Sequence, residues 1–321
     1  MKYVVYGAGA VGGVIGGHLH LAGLDTTIVA RGEHLDAIRR DGLLLDTAEA
    51  AQRLAIPAAE TAAEIDWTDD TVVLLTVKSH QTAAALDDLA SHASAGTAVV
   101  SAQNGVANER AVLRRFARAY AVTVMLPATH LEPGVVVQKC FPTPGILDIG
   151  RVPNGVDETA EAIAGDLRKG GFESVPRPDI MAWKHRKLLM NLGNGVDAAF
   201  AEGDAADELA QRAREEGEAA LAAAGIAVVS EDQDRERRGD ILRPRPAGGP
   251  PRGGSTWQSI TRGGGSGSEI DYLSGEVVLI GRLHGVPTPV NELVQRTTTE
   301  LAISGGAARS RDAAEALAAL G

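Results

Sequence analysis

The chain has 321 residues, of which 44% are hydrophobic and 23% charged, with a formal net charge of −11. That length allows two domains, because single cores rarely grow beyond about 250–300 residues, and the apolar content excludes disorder throughout. The negative balance argues against non-specific binding to nucleic acid or an anionic membrane, so an anionic ligand needs a local basic site.

The first half alternates short β-rich runs with helical patterns. Lys2–Tyr6 is a strand of apolar residues, and Ala10–Gly23 follows as a helix with Val11, Val14, Ile15 and Leu19 on one face. Thr26–Ala30 reads as the next strand and Gly32–Asp41 as the next helix. Strand Thr71–Val77, helix Ser79–Ser91 and strand Thr97–Ser101 repeat the alternation. Strand–helix–strand order with continuous apolar strands predicts a parallel sheet covered on both sides. A strand at Ile146–Gly150 and a helix from about Val156 to Lys169 complete this part.

The second half changes character, with helices predicted over Met181–Phe200, Asp204–Ala224, Glu269–Leu283 and Pro289–Ile303. Glu231–Gly254, rich in Arg, Pro, Gly and acids, reads as an exposed or mobile loop, and Arg262–Ser268 as a hinge or helix entry. The expected fold is α/β: a Rossmann-type dinucleotide-binding domain over residues 1–178, followed by an all-helical domain over 179–321. Cys140 is the only cysteine, which excludes an intramolecular disulfide and a cysteine-based zinc site, and no metal is expected. Glycines interrupt the apolar start, and no stretch of 18 apolar residues occurs. No signal peptide or membrane span is therefore expected, and the protein is read as cytoplasmic.

Gly7-Ala8-Gly9-Ala10-Val11-Gly12 leaves the first strand and opens the first helix. Glycines at this spacing let the backbone turn tightly and approach a pyrophosphate, which the helix N-terminus receives with free N–H groups and a favourable dipole. The bland alternative is a Gly-rich turn that binds nothing. An NAD enzyme usually ends its second strand with an acid for the ribose 2′-hydroxyl. Here the strand runs Ile28-Val29-Ala30-Arg31, and Arg31 offers a guanidinium fork suited to a 2′-phosphate. NADPH/NADP+ is therefore the expected cofactor, unless Arg31 is merely a solvated surface residue.

Carbonyl reduction also needs a proton donor and groups that hold the substrate. Lys187 is the best proton-donor candidate: Asn191 and Asn194 follow it at four and seven residues, within one arc of a helix. Lys184 and His185 compete, and are expected to point away from the Asn191 face. A solvated helix face is the bland alternative. Lys78 and Asn104 follow the carboxyl ends of two strands, where ligands bind in parallel sheets. Glu269 has capping-box spacing from Ser266, so capping and chemistry are equally open readings. Ser255 alone is a loop hydroxyl.

With these residues assembled, the chain resembles the ketopantoate reductase (2-dehydropantoate 2-reductase) family over nearly its whole length. The resemblance rests on Gly7–Gly12, Arg31, Thr76-Val77-Lys78, Gln103-Asn104-Gly105, Lys187-Leu188-Leu189-Met190-Asn191 and Glu269-Ile270-Asp271-Tyr272. It implies NADPH-dependent reduction of a small-molecule 2-oxo acid, ketopantoate, in pantothenate and coenzyme A biosynthesis, by two domains around a cleft, with a homodimer expected. Lys187 would be the general acid and Asn191 would hold the substrate oxygen. Glu269 would bind the substrate hydroxyl, Ser255 the carboxylate, and Lys78 and Asn104 the nicotinamide side. The family often carries an asparagine eight residues after the lysine, where this chain has Gly195, with Asn194 one step earlier. Two alternatives compete. A 3-hydroxyacid dehydrogenase using NAD(P) shares the lysine–asparagine spacing but lacks the Glu269–Tyr272 segment. A non-catalytic NADPH sensor would leave the full polar set without a use.

Overall fold

Runs such as Lys2–Tyr6 and Thr71–Leu75 are buried on both faces, the condition for strands inside a parallel sheet. This computed structural model describes all residues except 247–252, 263–268 and 321. The chain divides into two units. Met1–Gln103, Asn108–Met181 and Asp232–Gly249 make the first; Asn104–Ala107, Ala182–Glu231 and Pro250–Gly321 make the second.

In chain order the first unit begins β1 (Lys2–Tyr6), α1 (Ala10–Leu21), β2 (Asp25–Val29), α2 (Gly32–Asp41), β3 (Leu43–Asp46), β4 (Ala51–Leu54) and β5 (Ala58–Ala59). It continues with β6 (Thr71–Leu75), α3 (Thr82–Ala90), β7 (Ala98–Ser101), α4 (Asn108–Leu113), β8 (Arg118–Met125), β9 (Ala128–Thr129), β10 (Val135–Gln138), β11 (Ile146–Arg151) and α5 (Glu158–Lys169). Seven strands form one sheet in the order β11-β8-β7-β6-β1-β2-β5, parallel except for the edge pair β11–β8. Tyr6 stands opposite both Val29 and Leu75, so three central strands end level. Gly7, Ala30 and Thr76 leave the sheet side by side.

A second sheet, in the order β4-β3-β10-β9, is absent from the sequence reading. Its strands are two to four residues long, too short for periodicity to register. It explains the composition of α1. A Cβ on Gly16 would stand 2.7 Å from Ile28 of the large sheet, and one on Gly13 would stand 2.5 Å from Val136 of the small sheet. A glycine in a helix costs about 1 kcal/mol against alanine; here it lets α1 approach both sheets closely.

The second unit is helical: α6 (Ile180–Asn191), α7 (Gly193–Ala199), α8 (Asp204–Ala223), then, beyond α9 (Glu231–Arg238), α10 (Ser255–Arg262), α11 (Ser274–His284), α12 (Pro289–Ser304) and α13 (Ala313–Leu320). The helix read over Met181–Phe200 is thus two helices that meet at Leu192. Likewise, Glu269–Leu283 is a 3₁₀ turn at Glu269–Tyr272 followed by α11. The segment read as an exposed or mobile loop, Glu231–Gly254, contains α9, which packs with the first unit, and its residues 247–252 lie outside the described residues. Of the Arg262–Ser268 hinge reading, residues 263–268 lie outside the described residues. Among the described residues, no helix is long and apolar enough to cross a membrane.

Candidate active site

The glycine turn of the first unit is built for close approach. Gly7 has φ +114° and a Cβ there would stand 2.8 Å from the Val77 nitrogen, while one on Gly12 would stand 2.2 Å from the Gly7 oxygen. Gly9 is different: a Cβ there would meet nothing within 4 Å. Gly9 is also the N-cap of α1, with no side-chain cap and no acid in the first turn. The helix therefore starts beside open space at Gly9, with Ala10 and Val11 part-exposed and Gly12 buried behind them, and its dipole favours an anion. The turn's own carbonyls are occupied. Thr76 Oγ1 donates to the Gly7 oxygen at 2.8 Å, and a ring nitrogen of His34 lies 2.7 Å from the Ala8 oxygen. The turn fits the diphosphate of a dinucleotide.

Arg31 is exposed at the N-cap of α2, two residues beyond the end of β2. Its guanidinium lies beside the Tyr6 phenol, which donates to Asp88 Oδ2 at 2.5 Å. Burial, then the bond to Asp88, pushes Tyr6 up to about 12 against the opposing pull of Arg31. Lys78 is half-buried in the loop after β6. The loop is held by a buried relay: Gln103 Nε2 donates to the Val77 oxygen at 2.8 Å and to Thr82 Oγ1 at 2.9 Å, and Asn108 Nδ2 donates to Ser79 Oγ at 3.1 Å.

In the second unit the structure brings together residues far apart in sequence. Asn191, the last residue of α6, is 5% exposed and donates from Nδ2 to Asn104 Oδ1 at 3.4 Å. Gly105, φ +76°, abuts the Glu269–Tyr272 turn, where a Cβ would stand 2.8 Å from the Tyr272 oxygen. Lys187 sits half-buried one turn before Asn191. Asn194 is on α7 rather than α6, its Oδ1 2.9 Å from where a Cβ on Gly254 would stand, at the start of α10. Gly195 is filled in by neighbours: a Cβ there would stand 2.6 Å from Val294 and 2.7 Å from Ile270, so an asparagine has no room.

Lys184 does not point away from the Asn191 face: it is seven residues before Asn191, two full turns on the same helix, and only 3% exposed. Glu269 is half-buried at the head of its 3₁₀ turn, five residues before α11 begins, and Ser266 lies outside the described residues. Ser255 begins α10, but its side chain lies outside the described residues. His34 escaped the sequence reading because its partners lie 26 and 100 residues away. Only its place, three residues after Arg31 in the first turn of α2, could have drawn attention to it.

Residues 3–154 match the family described as "Ketopantoate reductase PanE/ApbA", and residues 179–302 match "Ketopantoate reductase PanE/ApbA C terminal". A 2-dehydropantoate 2-reductase of Halobacterium salinarum is 30% identical over 306 residues, covering 90% of this chain and 95% of that protein. The crystal structure of a PanE/ApbA family ketopantoate reductase from Ralstonia eutropha superposes with a TM-score of 0.80 at 25% identity, covering 95% of this chain and 99% of that one. D-mandelate dehydrogenase, solved with NADH and anilino(oxo)acetate, shares the fold with a TM-score of 0.80 at 22% identity, over 95% and 99% of the two chains.

Proposed function

The chain belongs to the ketopantoate reductase family of oxidoreductases acting on CH–OH groups, and from that premise we propose that it reduces ketopantoate, or a closely related 2-oxo acid, with NADPH. The observation that carries the reading is the meeting of Asn191 with Asn104, one helical turn from Lys187. These are the polar groups a carbonyl reductase needs on its substrate side.

Gly7, Ala8, Gly9, Ala10, Val11 and Gly12 hold the diphosphate, and Arg31 holds the 2′-phosphate. The exposed guanidinium after a strand that ends without an acid supports NADPH over NADH. NADPH supplies the hydride when bound. Lys187 gives its ammonium proton to the forming alkoxide, and Asn191 orients the oxygen that receives it. Lys78 and Asn104 line the nicotinamide side. Glu269 accepts a hydrogen bond from the substrate hydroxyl, while Ser255 and Asn194 bind the carboxylate end. The product would serve pantothenate and coenzyme A biosynthesis in the cytoplasm. Leu279 and Leu283, one turn apart on α11, and Ile303 on α12 expose apolar surface that the partner in a homodimer would cover.

The test is NADPH consumption, followed at 340 nm, across a panel of 2-oxo acids that includes ketopantoate. Turnover with ketopantoate and 2-oxo acids of similar size is expected. No oxidation of NADPH with any of them would remove the reading.

A further inference from the structure

His34 is bonded on both sides of its ring within the first unit. Nε2 lies 2.7 Å from the Ala8 oxygen in the glycine turn, and Nδ1 accepts from the Gly134 N–H at 2.8 Å, in the turn between β9 and β10. The two contacts fix the tautomer: Nε2 carries the proton and Nδ1 is bare. The ring lies against His130 at a centroid distance of 4.1 Å, tilted by 47°. Burial, reinforced by His130, lowers His34 to about 4, so the bare Nδ1 that the Gly134 contact requires persists at neutral pH, while Nε2 keeps its proton for Ala8.

The Ala8 carbonyl is the unusual partner. An outward-facing carbonyl oxygen beside the start of α1 would oppose any anion bound there, because its partial charge has the same sign. In the structure that oxygen is turned inward, 3.1 Å from where a Cβ on Gly13 would stand, and His34 holds it there. The adjacent Gly7 oxygen is held similarly by Thr76.

We propose that His34 is a positioning residue for the dinucleotide: by holding the Ala8 carbonyl inward, it leaves only N–H groups facing the diphosphate. The inference rests on the glycine turn being the nucleotide site. His34 touches neither hydride donor nor substrate in this role, so it governs how tightly the cofactor binds and leaves the chemical step alone.

Two conservative variants separate this role from a merely structural tie between α2 and the second sheet. His34→Asn places its amide near the Nδ1 position, keeping the Gly134 contact and losing Ala8. His34→Gln reaches the Nε2 position and keeps the donor to Ala8. NADPH binding is measured by cofactor fluorescence, and KM and kcat by steady-state assay, with melting temperatures alongside. His34→Asn is expected to weaken NADPH about tenfold, the size of one lost hydrogen bond, in Kd and KM alike with kcat at saturation unchanged. His34→Gln is expected to bind NADPH nearly as wild type does. Equal NADPH affinity in the two variants, with wild type binding normally, overturns the proposal and spares the nucleotide site. Failure of the wild-type protein to bind NADPH or NADH overturns the nucleotide site itself, and the proposal with it.

Discussion

Arg237 holds Asp148 through two parallel hydrogen bonds, Nε to Oδ2 and Nη2 to Oδ1, both 2.8 Å. Asp148 is on β11 with a side chain 2% exposed, and it also receives Arg177 Nε at 3.2 Å and the Val175 N–H at 2.9 Å. The bidentate pair fastens α9 to the sheet of the first unit. Removing one partner of a buried pair leaves a charge without compensation, which costs about 3–5 kcal/mol. Because Arg177 remains, Arg237→Ala should sit at the low end, near 3 kcal/mol, lowering the melting temperature by roughly 6–10 °C. A melting temperature within about 1 °C of wild type would mean that the segment is held by something other than this pair.

The same segment shows where sequence reading stops. β1, β6 and β7 were legible because continuous apolar runs have one good use, burial on both faces of a sheet. α9 was not, because Glu231–Arg238 has no apolar stripe and is anchored by the Arg237–Asp148 ion pair to a strand 89 residues earlier. The small sheet was hidden by the brevity of its strands, and the break at Leu192 by an unbroken helical composition on either side. Of the site, the glycine turn and the Lys187–Asn191 spacing were visible because each is local. The meeting of Asn104 with Asn191 depends on tertiary contact across 87 residues, which one sequence does not encode in any pattern.

If Arg31 grips the 2′-phosphate, Arg31→Ala should weaken NADPH by roughly 10- to 100-fold, the value of a charge-assisted hydrogen bond of about 1.5–3 kcal/mol, and leave NADH nearly unaffected. Kd for both cofactors is the measurement. Equal losses would assign Arg31 to the Tyr6–Asp88 cluster alone, where it also has contacts.

Lys184 and Lys187 must be tested together, because both lie on the Asn191 side of α6. A positioned general acid contributes about 10²–10⁴-fold, so Lys187→Met should lower kcat by that order while NADPH binding persists. Lys184 is the more buried of the two, so Lys184→Met should act mainly on the melting temperature. The reverse pattern, kcat collapsing in Lys184→Met and surviving in Lys187→Met, would transfer the role to Lys184.

Glu269 separates ketopantoate from other 2-oxo acids. A capping role has weakened, since α11 begins at Ser274 with Leu273 as its N-cap and Glu269 stands outside its first turn. As a capping residue Glu269 would be nearly silent when changed to glutamine, which serves equally in a capping box. As a substrate ligand, its ionised carboxylate accepts a hydrogen bond from a hydroxyl, and neutralising it should cost about 1.5–3 kcal/mol in kcat/KM with little change in melting temperature. Ketopantoate carries a 4-hydroxyl that can make this bond; 2-oxoisovalerate does not. A site that hydrogen-bonds a hydroxyl discriminates strongly against analogues lacking it. Wild type should therefore prefer ketopantoate by a wide margin, and Glu269→Gln should lose activity on ketopantoate while barely changing on 2-oxoisovalerate. The ratio of the two kcat/KM values, in wild type and variant, is the measurement. A ratio near one in both would leave a 2-oxo acid reductase standing and remove ketopantoate as its substrate.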